Sequence, residues 1–427
     1  MNKTVEKFGK VVTDKVRTNP AMARRLLATA FKGYAMSLRL PGKSQELKAR
    51  NYLMSVCNNA TAQPLLDPGN SVIVSIFTPC EVFHAMGMDV VFPEGLGCYM
   101  TASACEEIFI DSAEKNGIPE TFCSYHKNII GMAKNGVLRK PKFIVNTTIA
   151  CDANQLTFRW LAEYFDVPHF VLDVPREMTP ENLIYMEKQL HDMTAFVEKN
   201  LGRKMEKYKL RKVMQRSIRT IGNYRKTLML KADRYEPTRM TSHMMDIFAL
   251  HVLLGTKESD KYAAMLVKEV EALPRVKKGV RLLWVHTMPY WETAMCNMLN
   301  CSDRVEIVTC DMDFDGLITM KSNKPYESMA KWTINNHFNG GAERRIDNVL
   351  YYAKHLNIDG IVYFCHWGCK QTMGASALAK TTFENEGFPT LVLDGDGCDK
   401  KNLQEGPIIT RLEAFIEQLE SQKEEIK

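Results

Sequence analysis

The chain contains no run of about 18 consecutive apolar residues, so no transmembrane helix and no membrane partner are expected. Its first residues, MNKTVEKFGKVVTDKVR, lack the apolar stretch and small-residue cleavage site of a secretory signal. Segment 22–40 is basic and amphipathic, but acidic Glu6 and Asp14 precede it, and it reads as a structural helix and not a transit peptide. There is no G-x-x-x-x-G-K-[ST], so the chain is not expected to hydrolyse ATP itself. No G-x-G-x-x-G follows a strand, which leaves a dinucleotide cofactor unsupported, and no G-x-S-x-G elbow is present. Paired C-x-x-C knuckles are absent, which argues against structural zinc. The compact C-x-x-C-x-x-C run of ferredoxin-type clusters is absent too. A net charge of +6 over 427 residues is mild, and no basic stripe interleaves with aromatics, so nucleic acid is not expected as a partner.

What is present is a globular composition, 45% hydrophobic and 25% charged, on a chain too long for one core. Twelve cysteines without a secretion signal point to free thiols in a reducing, cytoplasmic setting. Residues 1–70 read as an N-terminal helical segment. Residues 71–176 alternate strand and helix, with strands expected at Ser71–Phe77, Asp89–Pro93, Phe143–Thr147 and His169–Val174. Thr78 and Pro79 read as an N-cap and a first-turn proline. Residues 177–275 are a helical connector, in which the run Lys207–Arg219 reads as a solvated face. Residues 276–427 alternate again, with strands at Arg281–His286, Val305–Cys310, Gly360–Phe364 and Thr390–Leu393. The fold class is therefore α/β: two Rossmann-like lobes with parallel four-stranded sheets, plus N-terminal and connecting helices.

In such sheets the ligand lies beyond the carboxyl ends of the strands. That rule singles out Cys123, which opens a helix, and Cys151 and Cys369, which each follow a strand. A helix N-terminus favours the thiolate that binds iron. Three thiolates leave one corner of a four-iron cluster open for chemistry. The competing reading is that these are buried core cysteines, as free cysteine often is. Cys80, Cys98 and Cys365 also lie near strand ends, whereas Cys57, Cys105, Cys296, Cys301 and Cys310 read as packing residues and Cys398 lies in a glycine-rich turn. Asp311, Asp313, Asp315 and Gly316 begin like a calcium loop, but the twelfth position is Ser322, so that reading is set aside. Glu94 is a candidate acid or base and Thr78 a candidate substrate hydrogen-bonder. His366 is either catalytic or a hydrogen-bond partner of a cluster sulfur.

Several segments, in order, resemble the 2-hydroxyacyl-CoA dehydratase and benzoyl-CoA reductase family. They are TPCEVFHAMG (78–87), VFPEG (91–95), the stretch 113–127 ending in FCSYHK, YFDVPHFVLDVP (164–175), HWGCKQ (366–371) and the stretch 394–415. The resemblance implies a [4Fe-4S] cluster held by Cys123, Cys151 and Cys369, a homologous second dehydratase subunit, and an ATP-dependent iron–sulfur activator protein. It implies an acyl-CoA substrate, from which water leaves through a ketyl radical after one-electron activation. Alternatives within the resemblance are a benzoyl-CoA-reductase-like subunit and a double-cubane cluster reductase, although Ser75 and Phe77 stand where the latter's extra cysteine is expected. A non-catalytic, electron-storing partner subunit is a further alternative.

Overall fold

The computed structural model describes residues 3–40, 42, 45–403 and 405–425. Eight strands form two separate sheets. The first contains β1 (Ser71–Val74), β2 (Asp89–Val91), β3 (Phe143–Thr147) and β4 (His169–Leu172), in the order β2-β1-β3-β4. The second contains β5 (Val280–Val285), β6 (Val305–Cys310), β7 (Gly360–His366) and β8 (Thr390–Gly395), in the order β6-β5-β7-β8. Every pairing is parallel, and the two sheets repeat one strand order. β1, β3, β5, β6 and β7 are buried along their whole length, as expected of parallel strands with helices on both faces.

The strand after the Leu66–Gly69 turn is shorter than its apolar run suggests. It stops at Val74 because the chain turns at Ser75: the Thr78 N–H bonds to the Ser75 carbonyl at 3.0 Å, and the two hydroxyls lie 3.0 Å apart. Thr78 is consequently not the N-cap. The helix begins at Glu81 with Cys80 at its cap. β2 and β4 are likewise shorter than expected, and β7 and β8 longer.

The two sheets are bridged by the helices Pro180–Leu201, Lys207–Leu230, Met240–Leu250 and Lys257–Glu271. In Lys207–Leu230 the buried residues Leu210, Val213, Met214, Ser217 and Ile221 recur at helical spacing, so its basic residues face outward. Helix Lys48–Leu66 is tied to this connector by a buried arginine. Arg50 Nε donates to Glu236 at 2.8 Å, and Nη1 donates to Asp246 at 2.5 Å and to Tyr262 at 2.7 Å.

Candidate functional site at the strand ends

With the order β2-β1-β3-β4, connections leave the sheet in opposite directions from β1 and β3. The crevice beyond their carboxyl ends is the switch point where open α/β sheets bind ligands. The second sheet has the corresponding point beyond β5 and β7. Cys151 is the N-cap of helix Asp152–Phe165, which follows β3, and Cys369 is the N-cap of helix Lys370–Asn385, which follows β7. The two thiols therefore occupy equivalent places in the two lobes. Cys123 is the N-cap of helix Ser124–Lys134. None of the three sulfurs bonds a backbone N–H of its own helix, and the Cys369 sulfur lies 3.2 Å from Thr372 Oγ1.

The lobes meet at this point. Gly368 has φ +78°, and a Cβ there would lie 2.7 Å from the backbone N and Cα of Cys123. Only glycine lets the Cys369 turn come this close. Two non-glycine residues in the left-handed region, Ala150 (φ 71°) and His286 (φ 78°), lie at the same strand ends. Such conformations persist where surrounding structure imposes them, and they gather at functional sites.

The three thiols act on one another electrostatically. Burial, then Cys151 and Cys369, push the Cys123 thiol well up, and burial together with Cys369 pushes Cys151 up to about 12. For Cys123 and Cys151 the expectation that helix N-termini favour the thiolate is thus reversed in the metal-free protein. A helix end stabilises a negative charge by about 1 kcal/mol, less than the cost of burying it unpaired. A cation that binds here displaces protons from sulfur. The three sulfurs do not all lie within 4.8 Å of one another. A single tetrahedral zinc with sulfurs at about 2.3 Å would need a tighter set.

Two histidines face these sulfurs. His366 Nε2 is 3.4 Å from Cys123 Sγ, and His126 Nε2 is 3.7 Å from Cys151 Sγ. The Gly397 N–H donates to His366 Nδ1 at 3.0 Å, so the ring proton sits on Nε2 and points at sulfur. Burial lowers both histidines, His126 to about 3, which keeps the rings neutral. Asp396 fixes the turn that carries Gly397. It accepts from Ser124 Oγ at 2.5 Å and from the Cys398 and Asp399 N–H groups at 2.8 and 2.9 Å. His126 sits three residues after Cys123 on the same helix, so its spacing was available in the sequence.

Glu94 lies in the first turn of helix Pro93–Ala102, just past β2. Neither carboxylate oxygen makes a well-aligned hydrogen bond, although the backbone N–H groups of Glu94 and Ile76 lie close by. Burial pushes the carboxyl up to about 8, partly offset by the backbone N–H groups of Glu94 and Ile76. Its charge acts on both Cys151 and Cys98. Further buried polar atoms without partners stand around the same strand ends: Thr147 Oγ1, Asn154 Oδ1, His286 Nδ1 and Thr287 Oγ1. Native interiors rarely leave such atoms unmatched, and their gathering here fits a space shaped for an additional polar group. Thr78 is fully buried, with its hydroxyl against Ser75.

Other candidates separate from this centre. Cys80 Sγ donates to the Thr78 carbonyl at 3.1 Å, and Asn128 Nδ2 donates to Cys398 Sγ at 3.4 Å. Cys365 is buried and lies in the field of Asp394 and Cys369. The three aspartates of the calcium-like run diverge. Asp311 accepts from Arg345, Asp313 pairs with His243, and Asp315 with His251. His243, Asp246 and Asp313 bring ligand-type atoms within 4.8 Å, but the Arg50 guanidinium already contacts Asp246 at 2.5 Å.

The sequence of this two-lobed chain matches a known family over most of its length. The family model described as 2-hydroxyglutaryl-CoA dehydratase, D-component, matches residues 75–419, and the chain belongs to that family. Among curated relatives, the (R)-phenyllactyl-CoA dehydratase alpha subunit of Clostridium sporogenes is 22% identical over 407 residues, covering 89% of this chain and 98% of its own. The lactoyl-CoA dehydratase alpha subunit of Anaerotignum propionicum is 22% identical, covering 80% and 89%. A benzoyl-CoA reductase subunit of Thauera aromatica is 19% identical, covering 74% and 80%. Among the described residues no helix is long and apolar enough to cross a membrane.

Proposed function

We propose that this chain is the cluster-bearing, substrate-binding subunit of a cytoplasmic 2-hydroxyacyl-CoA dehydratase, a hydro-lyase that converts a 2-hydroxyacyl-CoA to the 2-enoyl-CoA. The observation that carries this reading is the meeting of Cys123, Cys151 and Cys369 at the strand ends, beside a buried carboxyl without a well-aligned hydrogen bond. These three cysteines are the ligands we assign to a [4Fe-4S] cluster. When bound, the cluster supplies an open iron corner as Lewis acid and a one-electron carrier.

The chain's own residues supply positioning and proton work. With its carboxyl at about 8, Glu94 is protonated near neutral pH and can give a proton to the departing 2-hydroxyl. The resulting carboxylate can then accept the 3-proton once it becomes acidic. Thr78 shapes the substrate-facing turn after β1 through Ser75. His366 acts through the Cys123 sulfur, and its aimed N–H holds that sulfur in place. The chain lacks a phosphate-binding loop for ATP, which accords with a separate ATP-dependent iron–sulfur activator. A homologous second subunit is the expected partner, since the relatives named above include alpha subunits.

The test is iron and acid-labile sulfide per chain after anaerobic purification, followed by turnover of 2-hydroxyacyl-CoA with partner and activator added. About four irons are expected, lost in each of C123A, C151A and C369A and kept in C57A. Glu94→Gln should keep the iron and lower turnover about 10²–10⁴-fold. A folded, anaerobically prepared chain without iron would overturn the reading. Iron-loaded chain that reduces benzoyl-CoA and leaves hydroxyacyl-CoA unchanged would redirect it to the reductase.

A further inference from the structure

β1 and β5 hold the same place in the two sheets, second in the orders β2-β1-β3-β4 and β6-β5-β7-β8. The residue just past each strand therefore stands at the same switch point: Ser75 after β1 and His286 after β5. Ser75 engages its hydroxyl in the Thr78 turn. His286 has no such local use, and the dehydratase reading gives it no role.

The backbone of His286 is left-handed, φ 78°, a conformation that a non-glycine residue keeps only where its surroundings impose it. Here they do. The His286 N–H donates to Asp311 Oδ1 at 2.7 Å, and its carbonyl accepts from Cys310 Sγ at 3.2 Å. Asp311 is held in turn by Arg345, whose Nε donates to Oδ2 at 2.7 Å. Arg345 and Asp311, both buried, thus act as positioning residues for His286.

The main chain is pinned at both polar groups, yet among the described residues the ring has no hydrogen-bond partner. Nδ1 is sealed from water, whereas the residue as a whole is only half-buried. A proton on Nδ1 would bury an unpaired donor. The proton therefore sits on Nε2, the ring nitrogen that remains open. Burial, Arg345 and His366 hold the ring well below its usual pKa, so it is neutral. Its centroid is 6.0 Å from that of His366, whose Nε2 is 3.4 Å from Cys123 Sγ. His286 thus stands one ring away from a cysteine of the centre. Its neighbour Thr287 adds another buried, unmatched hydroxyl oxygen.

We propose that His286 is a substrate-binding group of the second lobe, its Nε2–H donating to the carbonyl oxygen of the bound thioester. The inference rests on the dehydratase reading and adds to it a residue from the lobe opposite Glu94. The carbonyl oxygen is where charge gathers when a thioester takes up an electron. A neutral imidazole suits that oxygen, because it gives a directed hydrogen bond and keeps its proton. Donors placed in advance at an oxygen that turns negative are effective because they need no rearrangement during reaction. The Arg345–Asp311–backbone chain supplies that placement.

Two unreactive probes test it. Butyryl-CoA has the carbonyl and no 2-hydroxyl, and S-butyl-CoA is the thioether with a methylene in place of the carbonyl. Calorimetric titration into the iron-loaded full chain should show tighter binding of butyryl-CoA. His286→Asn should reduce that preference about three- to tenfold, the worth of one neutral hydrogen bond, and leave S-butyl-CoA affinity unchanged. Asparagine accepts positive φ readily, and its shorter amide withdraws the donor. His286→Gly, which adopts the same backbone without strain, should behave alike. Both variants should keep their iron, and turnover with partner and activator should fall about 10²–10³-fold. Iron-loaded variants that retain the full preference for butyryl-CoA overturn the role of His286 and leave the dehydratase reading standing. Loss of iron in both variants makes His286 a structural residue and likewise overturns the role. An iron-loaded unmodified chain that binds neither probe overturns both readings.

Discussion

His366 donates its Nε2 proton toward the Cys123 sulfur across 3.4 Å, while its other ring nitrogen is occupied by the Gly397 N–H. The ring cannot turn its proton elsewhere without losing one of these contacts. Hydrogen bonds to cluster sulfurs stabilise the more negative, reduced state. His366→Leu should therefore keep the iron and lower the midpoint potential by on the order of tens of millivolts. An anaerobic redox titration followed by electron paramagnetic resonance reads this, and an unchanged potential would remove His366 from that role.

Gly368 gives a steric prediction. With φ +78° and a would-be Cβ at 2.7 Å from the Cys123 backbone, Gly368→Ala must move one cysteine turn away from the other. The strained conformation alone costs about 1–3 kcal/mol. Iron content should fall along with the melting temperature, whereas Gly374→Ala, inside helix Lys370–Asn385 with nothing within 4 Å, should keep the iron and raise the melting temperature slightly.

Glu81 makes stability depend on pH. It is buried, accepts from Ser217 Oγ at 3.1 Å, and is pushed by burial up to about 7 from a usual 4.5. The folded chain therefore holds a proton that the unfolded chain releases. The associated stability is fully present below about pH 4.5 and is lost as pH rises through about 7, on the order of 3 kcal/mol in all. Urea midpoints measured from pH 5 to pH 8 should fall, and Glu81→Gln should flatten the fall. Glu94 acts in the same direction up to about pH 8, so a residual slope is expected.

Arg50 is the structural counterpart. Removing this buried cation leaves Asp246 without an ion-pair partner, held only by the Tyr224 and Tyr262 hydroxyls, and leaves Glu236 with Lys231 alone. Arg50→Met should cost about 3–5 kcal/mol by chemical denaturation. Iron bound per folded chain should be unchanged, because the pair lies between the N-terminal helices and the connector.

The periodicity of apolar runs made the α/β class and the two parallel sheets legible in the sequence, and β3 and β6 begin and end at the expected residues. β1 falls short because the Ser75–Thr78 turn, a contact between two small polar side chains, interrupts an apolar run. The placement of the candidate cysteines was legible because strand ends are sequence features. Their protonation was not, since it depends on burial by residues distant in the chain. His126 was within reach through its three-residue spacing from Cys123.

Of the three sulfurs, two come from the first lobe and one from the second. Metal bridging them would fasten the halves of the molecule like a clasp. The Gly368 turn rests on the Cys123 backbone without any metal, so such a clasp would close on a seam that is already in place.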